Sequence, residues 1–172
     1  EKTRFDNLLH TIFRSKKFTK DLYDEDKDKI LSLYNEHGYR DARIVKDSIV
    51  PHDDKTIDIY MTIEEGRKYY IRDIKWVGNS VYSTAWLDMV LQMKPGDVYD
   101  QNKLEDRLLM DEDAIKNLYY NDGYVFFNVI PTEARIENDS VDLELRVIEG
   151  VQATIGRVTI SGNDRLYEDV VR

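Results

Sequence analysis

The most acidic stretch of the chain, residues 24–28, begins with the spacing of a calcium-binding loop. An EF-hand loop also needs glycine at its sixth position and glutamate at its twelfth. Those positions hold Lys29 and Asn35, so the pattern fails at both. Carboxylates are equally favoured at the start of a helix, where they accept bonds from free amide groups and face the positive end of the dipole. We therefore interpret Asp24 as a helix N-cap and Asp100 as the cap of an equivalent helix.

The other groups that could support catalysis or bind metal are scattered. His10, His37 and His52 fall in different predicted elements, and the chain has no cysteine, so no zinc-ligand spacing is present. Glu64 and Glu65 form a carboxylate pair, but no histidine, serine nucleophile or glycine-rich phosphate loop accompanies them. The sequence therefore predicts no enzyme, no cofactor and no metal ion.

Composition narrows the class of partner. The net charge is −9, whereas a nucleic-acid-binding surface needs a basic face, so no nucleic-acid partner is expected. No apolar run approaches the roughly 20 residues of a membrane-spanning helix. Trp76 and Trp86 could form a binding patch, but large aromatic side chains usually pack inward, and we expect both to be buried. Binding or assembly is the function class that remains.

The chain is organised by a repeat, whose complete copy spans residues 71–150. Its markers are glycine-containing pairs at fixed offsets. They are Gly38-Tyr39 with Gly123-Tyr124 (85 residues apart), Glu65-Gly66 with Glu149-Gly150 (84 apart) and Gly78-Asn79 with Gly162-Asn163 (84 apart). We therefore expect a unit lacking its first strand over residues 1–66, a complete unit over 67–150, and the first strand and helix start of a further unit over 151–172.

Each complete unit is predicted to run strand, helix, helix, strand, strand. The first strand covers residues 70–77. In the first helix, as in residues 5–13 of the preceding unit, apolar residues recur at the spacing of a helix. The apolar residues of this first helix are Trp86, Leu87, Val90 and Leu91. The second helix is expected to bury Ile30, Leu33 and Tyr34 in the first unit and, at matching positions in the complete unit, Ile115, Leu118 and Tyr119. The last strands alternate, with Ile57, Ile59, Met61 and Ile63, or Val141, Leu143, Leu145 and Val147, facing inward. The fold class is α+β, in which two antiparallel helices cover one face of a three-stranded mixed sheet of order 1-3-2.

Two local features follow from the spacing. Gly38 and Gly123 should end their helices with a positive φ. The second helix of the complete unit is nine residues longer than its counterpart, which would rotate its start by about two and a half turns, so a kink or loop is expected near residues 111–113.

The 1-3-2 order leaves the second strand of each unit as a free edge that could pair with a partner strand. The candidate partner-binding residues on these edges are Ala42, Ile44 and Lys46 in the first unit and Tyr124, Phe126, Asn128 and Ile130 in the second. The joint between the units is short and consists of Arg67, Lys68, Tyr69 and Tyr70. We expect Tyr69 or Tyr70 to pack across it and to restrict motion between the units.

In this order and spacing, the motifs resemble those of POTRA domains, and tandem copies resemble the periplasmic arm of BamA-type outer-membrane protein assembly factors. Besides the repeated pairs, Gly96-Asp97-Val98-Tyr99 carries the resemblance. Phe127 departs from it, because the family usually has a small residue there, as at the aligned Ala42. Related systems with the same unit are TamA-type factors, two-partner secretion transporters and the division protein FtsQ.

The resemblance implies a non-catalytic scaffold at the periplasmic face of the outer membrane, anchored by a C-terminal β-barrel that this sequence does not include. The implied partners are unfolded outer-membrane β-barrel proteins, received by β-augmentation, and accessory lipoproteins. The alternative is a spacer or assembly module of one of the related systems that binds no client directly.

The last expectation concerns the residues after Gly150. Residues 153–161 match the first strand of the complete unit, with Ile155, Val158 and Ile160 in the places of Ile71, Ile74 and Trp76. The first unit lacks such a strand beside residues 56–64. We therefore expect head-to-tail strand exchange, in which this strand of one chain pairs with that edge of another.

Overall fold

The computed structural model describes residues 18–159. The helices are α1 (Lys20–Glu36), α2 (Thr84–Leu91), α3 (Gln101–Glu105), which continues as a π-helical turn (Asp106–Met110), and α4 (Ile115–Asn121). The strands are β1 (Arg43–Pro51), β2 (Ile57–Glu64), β3 (Tyr70–Val77), β4 (Asn128–Glu137) and β5 (Ser140–Ile148). The helix predicted around residues 5–13 lies outside the described residues.

The strands of the complete unit form a mixed sheet of order β3-β5-β4. β3 runs parallel to β5, and β4 runs antiparallel to it. This is the predicted 1-3-2 order, and the α+β fold class is confirmed. In the described part of the first unit, β1 and β2 form an antiparallel two-stranded sheet.

The core of the complete unit lies between its sheet and its helices. The inward side chains of β5 are all buried, as predicted: Val141, Leu143, Leu145 and Val147. They meet buried residues of the helices: Leu87, Leu91, Ile115 and Tyr119. In the first unit, Ile30 and Tyr34 pack against Met61 and Ile63, whereas Ile57, on the same face near the hairpin tip, is 37% exposed.

One of the two predicted helix caps is wrong. Asp100 does cap α3, and its carboxylate accepts the N–H of Lys103 at 2.9 Å. Helix α1, however, begins before Asp24, because the Thr19 hydroxyl accepts the N–H of Leu22 and caps the helix there. Asp24 instead lies within α1, where it pairs with Lys27 on the surface at 2.8 Å.

The predicted break in the second helix is confirmed. The α3 helix widens into the π-helical turn, the chain leaves helical geometry at Asp111, and α4 begins at Ile115. Arg107, only 7% exposed, holds this break in place. Its guanidinium donates to the Val90 carbonyl at 3.0 Å and pairs with Asp113 at 2.6 Å, which ties the break to the end of α2.

The two tryptophans differ. Trp76 is 7% exposed and donates its indole N–H to Asp88 at 2.7 Å, so its predicted burial is confirmed. Trp86 is 45% exposed, and its predicted burial is wrong. The buried stripe of α2 consists of Leu87 and Leu91, one helical turn apart, and this leaves Trp86 on the flank of the helix.

The Glu-Gly motif closes each unit with a half-buried glutamate that accepts hydrogen bonds. The Glu149 carboxylate accepts the N–H groups of Ser80 (2.7 Å) and Val81 (2.9 Å) and the hydroxyl of Tyr119 (3.0 Å). In the first unit, Tyr34 donates to Glu65 in the same way at 3.1 Å. Burial raises the pKa of Glu149, but these hydrogen bonds outweigh it, so the pKa lies below its ordinary value.

Replacing Glu149 with glutamine should lower the free energy of unfolding by about 1–2 kcal/mol at neutral pH, because charge-assisted hydrogen bonds are lost. Since the folded pKa is depressed, the carboxylate contributes fully above its ordinary pKa of about 4.3 and loses that contribution as pH falls through the folded value. Denaturant titrations of both proteins should therefore converge in acid. The control is Glu112→Gln, an exposed glutamate; a difference independent of pH would contradict this account.

The residues after Gly150 do not form the expected strand within 153–159, and 160–161 lie outside the described residues. Instead, the N–H of Ala153 donates to the carbonyl of Gly123 at 2.8 Å, and the Gln152 side chain donates to Asp122. The start of this segment is therefore held by its own second unit. These contacts of Ala153 and Gln152 with their own second unit count against the expected pairing with another chain, which stays a prediction.

Candidate binding cleft at the sheet edge

Strand β4 is the edge of the second sheet, with β5 as its one partner among the described residues. Its ladder with β5 runs from the Asn128–Ile148 pair to the Glu137–Ser140 pair, with a bulge between Glu133 and Arg135. Pro131 sits in this strand, opposite Leu145. Because no second strand of residues 18–159 lies on this edge, its outward backbone groups can pair with an added strand.

Pro131 indicates which backbone groups face outward. Proline has no N–H, and within a sheet it occupies an edge position whose nitrogen faces away from the partner strand. Successive residues of a strand alternate in this respect, so Val129 also presents its N–H outward, and Ile130 directs its N–H toward β5. The outward edge of β4 therefore carries unpaired N–H and C=O groups, except that Pro131 has no N–H to donate.

A cleft of about 780 Å³ lies beside this edge. Its apolar lining comes from Leu104, Leu108, Leu109, Pro131 and Leu143, and its polar lining from Tyr99, Gln101, Asn102, Glu105, Thr132 and Glu133, with Asn35 of the first unit. An extended segment added to β4 would place alternate side chains toward this cleft. The geometry therefore suits an extended polypeptide with apolar residues at every second position.

Glu133 closes the cleft at the joint between the two units. Its carboxylate accepts two bonds from the Arg40 guanidinium, one of them at 2.7 Å, and one from the Tyr99 hydroxyl at 2.9 Å. Burial raises the pKa of Glu133, but Arg40 and Tyr99 lower it below its ordinary value. Burial together with the Glu133 charge raises the pKa of Tyr99 to about 12. At neutral pH, Arg40 and Glu133 are therefore both charged, and Tyr99 is a neutral hydrogen-bond donor.

The joint itself is closely packed around Gly38 and Tyr69. Tyr69 is 7% exposed, its N–H donates to the Gly38 carbonyl at 2.8 Å, and its hydroxyl donates to Asp41 at 2.6 Å. Gly38 has a φ of +86°, and a Cβ there would lie 2.5 Å from a methyl group of Val98. A further contact links the helices, where Asn102 donates to the hydroxyl of Ser32 at 2.7 Å.

The structure separates the predicted edge residues into two groups. Those within strands are Ile44 and Lys46 in β1, and Asn128 and Ile130 in β4. Ala42, Tyr124 and Phe126 were wrongly expected in strands, because the chain continues in a turn after each helix-ending glycine. The N–H of Ala42 donates to Tyr39, and that of Tyr124 donates to Tyr119. The positive φ of Gly38 (+86°) and Gly123 (+85°), which starts these turns, was predicted correctly.

The predicted joint residues also differ in their surroundings. Tyr69 is buried, Lys68 is half-buried and Arg67 is exposed. Tyr70 is the first residue of β3 and is 38% exposed, and its N–H donates to Asp139. Within the linker, Tyr69 makes the hydrogen bonds across the joint, and the Lys68 side chain lies beside Gly38.

The sequence prediction missed Glu133, Arg40 and Tyr99, which the structure brings together. One signal was available for Glu133. It stands opposite the buried Leu143, so a charged residue occupies the sheet face that the helices cover, and such a residue needs a partner. Arg40 lies 93 residues earlier, and no local pattern connects the two.

The chain resembles known proteins over most of its length. The family model of POTRA, described as "Surface antigen variable number repeat", matches twice, at residues 2–66 and 69–150. The chain belongs to the POTRA family. The tandem arrangement and the predicted resemblance to BamA-type factors are thereby supported.

Two curated relatives carry the name outer membrane protein assembly factor BamA. The one from Neisseria meningitidis is 27% identical over 164 residues, which cover 94% of this chain and 20% of the relative. The one from Neorickettsia risticii is 29% identical over 135 residues, covering 71% and 18%. This POTRA chain therefore spans about a fifth of the length of these relatives. The predicted resemblance to BamA-type assembly factors is confirmed.

A solved structure shares the fold. The crystal structure of Haemophilus influenzae BamA POTRA3-5 superposes with a TM-score of 0.68 at 22% identity, covering 96% of this chain and 68% of that one. Among residues 18–159, no helix is long and apolar enough to span a bilayer. In the same range, no group of three His, Cys, Asp or Glu side chains is placed to hold a metal ion.

Proposed function

We propose that this POTRA chain is a non-catalytic scaffold at the periplasmic face of the outer membrane, where it receives unfolded β-barrel precursors. The observation that carries the proposal is the open β4 edge beside the cleft. The names of the BamA relatives support a place in outer-membrane protein assembly. Accessory lipoproteins are the further partners proposed.

In this proposal, a precursor segment adds to β4 as an extra strand. Backbone hydrogen bonds supply most of the affinity, so binding tolerates many sequences, and apolar side chains at alternate positions enter the cleft near Leu109 and Pro131, its accessible apolar residues. Strands of outer-membrane barrels have apolar residues at every second position, which matches this requirement. Pro131 removes one donor from the edge and keeps the affinity weak, as release of the client requires.

Replacing Pro131 with valine should tighten the binding of a barrel-strand peptide. The new N–H would face outward and add one hydrogen bond, worth about 0.5–1.5 kcal/mol, or roughly a 2- to 10-fold lower Kd. Fluorescence anisotropy with a labelled peptide measures the change. The control is Pro95→Val, in the exposed loop before Gly96. Unchanged or weaker binding by the Pro131 variant, or equal tightening by the control, would contradict the proposal.

We also propose that the joint limits the angle between the units, which supports both client reception and the alternative role as a spacer. Two side-chain hydrogen bonds cross the joint. Arg40 of the first unit donates to Glu133 of the second, and Tyr69 of the second unit donates to Asp41 of the first. The proposed units remain 1–66 and 67–150, with a further one beginning in 151–172.

Removing both side-chain bonds with Arg40→Ala and Tyr69→Phe should free the two units to reorient. Residual dipolar couplings of the native chain should fit a single alignment tensor, and those of the double variant should require two. The matched control is Arg43→Ala with Tyr60→Phe, because both residues are exposed on the first hairpin. A single tensor in the double variant would show that these bonds do not set the angle.

A further inference from the structure

The second unit repeats the joint of the first at its own far end. The Tyr69 N–H donates to the Gly38 carbonyl at 2.8 Å, and the Ala153 N–H donates to the Gly123 carbonyl at the same distance. The glycines are 85 residues apart and the donors are 84 apart, as in the sequence repeat. The chain therefore leaves both units by the same route.

The surface around this exit differs between the two units. The first unit has Asn35, Arg40 and Asp41, which lie beside the second unit; the second unit has Tyr120, Val125 and Phe126 at the same repeat positions. These three side chains are 38%, 46% and 65% exposed. An exposed apolar surface of this kind usually marks a contact site. We name these three residues the exit patch.

A local contact supports the equivalence of the two surfaces. A Cβ built at Gly66 would lie 3.1 Å from the Asp41 Cβ, and one built at Gly150 would lie 3.0 Å from the Phe126 Cβ. Asp41 and Phe126, each in the turn before a hairpin, therefore lie against the glycine of the Glu-Gly motif of their own unit. Phe126 therefore has the position of Asp41, whose carboxylate accepts a hydrogen bond from the Tyr69 hydroxyl in the first joint.

The linker changes together with the patch. Tyr69 has Ala153 as its counterpart, so the ring that the linker supplies in the first joint is absent in the second. In its place, the turn before β4 supplies the ring of Phe126. The first joint uses an ion pair and a tyrosine–carboxylate bond; at the second, every counterpart in the chain is uncharged.

We propose that the exit patch is the seat of a third unit, the one whose first strand is encoded from residue 153 onward, and that apolar contacts hold it there. The inference rests on the proposed organisation in units. It specifies a joint whose strength comes from buried apolar area instead of oriented charges. Such a contact has little directional preference, so the second joint should tolerate small rotations that the first does not.

Thiol labelling tests the proposal, because these 172 residues contain no cysteine. Val125→Cys reports on the exit patch, and Val45→Cys, at a 58% exposed valine of β1, is the matched control. Labelling rates are compared between the 172-residue chain and a longer chain that completes the third unit. The Val125 reporter should react at least about tenfold more slowly in the longer chain, because access controls thiol reactivity, and the Val45 reporter should not change.

The variant Phe126→Asp should restore fast labelling of the Val125 reporter in the longer chain. Equal rates in the two chains would overturn the proposal, as would protection that survives Phe126→Asp. Protection in the 172-residue chain that grows with concentration would instead assign the patch to self-association and would also overturn it. No barrel precursor is present, so the outcome is independent of whether the β4 edge binds clients.

Discussion

Replacing Tyr119 with alanine is expected to lower the free energy of unfolding of the second unit by about 3–5 kcal/mol. Its side chain is fully buried, stacks on Phe127 with ring centroids 4.2 Å apart, and meets the edge of Tyr82 at 4.9 Å. The alanine variant would leave a cavity between the rings of Phe127, Tyr82 and Tyr124 and would remove the hydroxyl that donates to Glu149. Denaturant unfolding followed by circular dichroism measures the loss.

Two further variants separate the ring from the hydroxyl. Tyr119→Phe keeps the stack and removes the donor, so it should cost only about 1 kcal/mol. Tyr120→Ala removes a ring that is 38% exposed and should cost less than the buried one. If Tyr119→Phe destabilised the unit as much as Tyr119→Ala, the stacked rings would not be the main source of stability.

Gly78→Ala should be nearly as damaging, with an expected loss of about 2–5 kcal/mol. Gly78 has a φ of +92°, which costs an L-residue about 1–2 kcal/mol. A Cβ there would also lie 2.4 Å from the backbone oxygen of Val147, so strand β5 would have to move, at a further cost of about 1–3 kcal/mol.

Gly96→Ala is the matched control for this substitution. Gly96 has the same φ of +92°, but no atom lies within 4 Å of the position that its Cβ would take. It should therefore show the backbone cost alone. Equal unfolding free energies for the two alanine variants would mean that close approach of β5 does not explain the glycine of the Gly-Asn motif.

The repeat and the alternation of β5 were enough to predict the sheet. A strand with Val141, Leu143, Leu145 and Val147 on one face can bury that face only under the helices, and the 1-3-2 order follows from the chain direction. The break near Asp111 was predictable because a longer helix could not keep its apolar stripe facing the sheet. These are local or periodic constraints.

The parts that could not be predicted depend on contacts between distant residues. The pairing of Arg40 with Glu133 requires both units to be folded and seated together, and no short-range pattern contains it. The helix start at Thr19 was missed for another reason. Thr19 and Asp24 both have side chains that favour an N-cap position, and the hydrogen bond from the Leu22 N–H to the Thr19 hydroxyl decides between them.

The most direct test of the proposed strand addition is amide hydrogen exchange at two adjacent residues of β4. With a saturating barrel-strand peptide, the outward N–H of Val129 should exchange more slowly, on the order of tenfold at ten times the Kd. The N–H of Ile130, already directed to β5, should change little. Slowing at Val129 alone is the predicted result; an unchanged Val129, or equal slowing of both residues, would contradict pairing of the client with this edge.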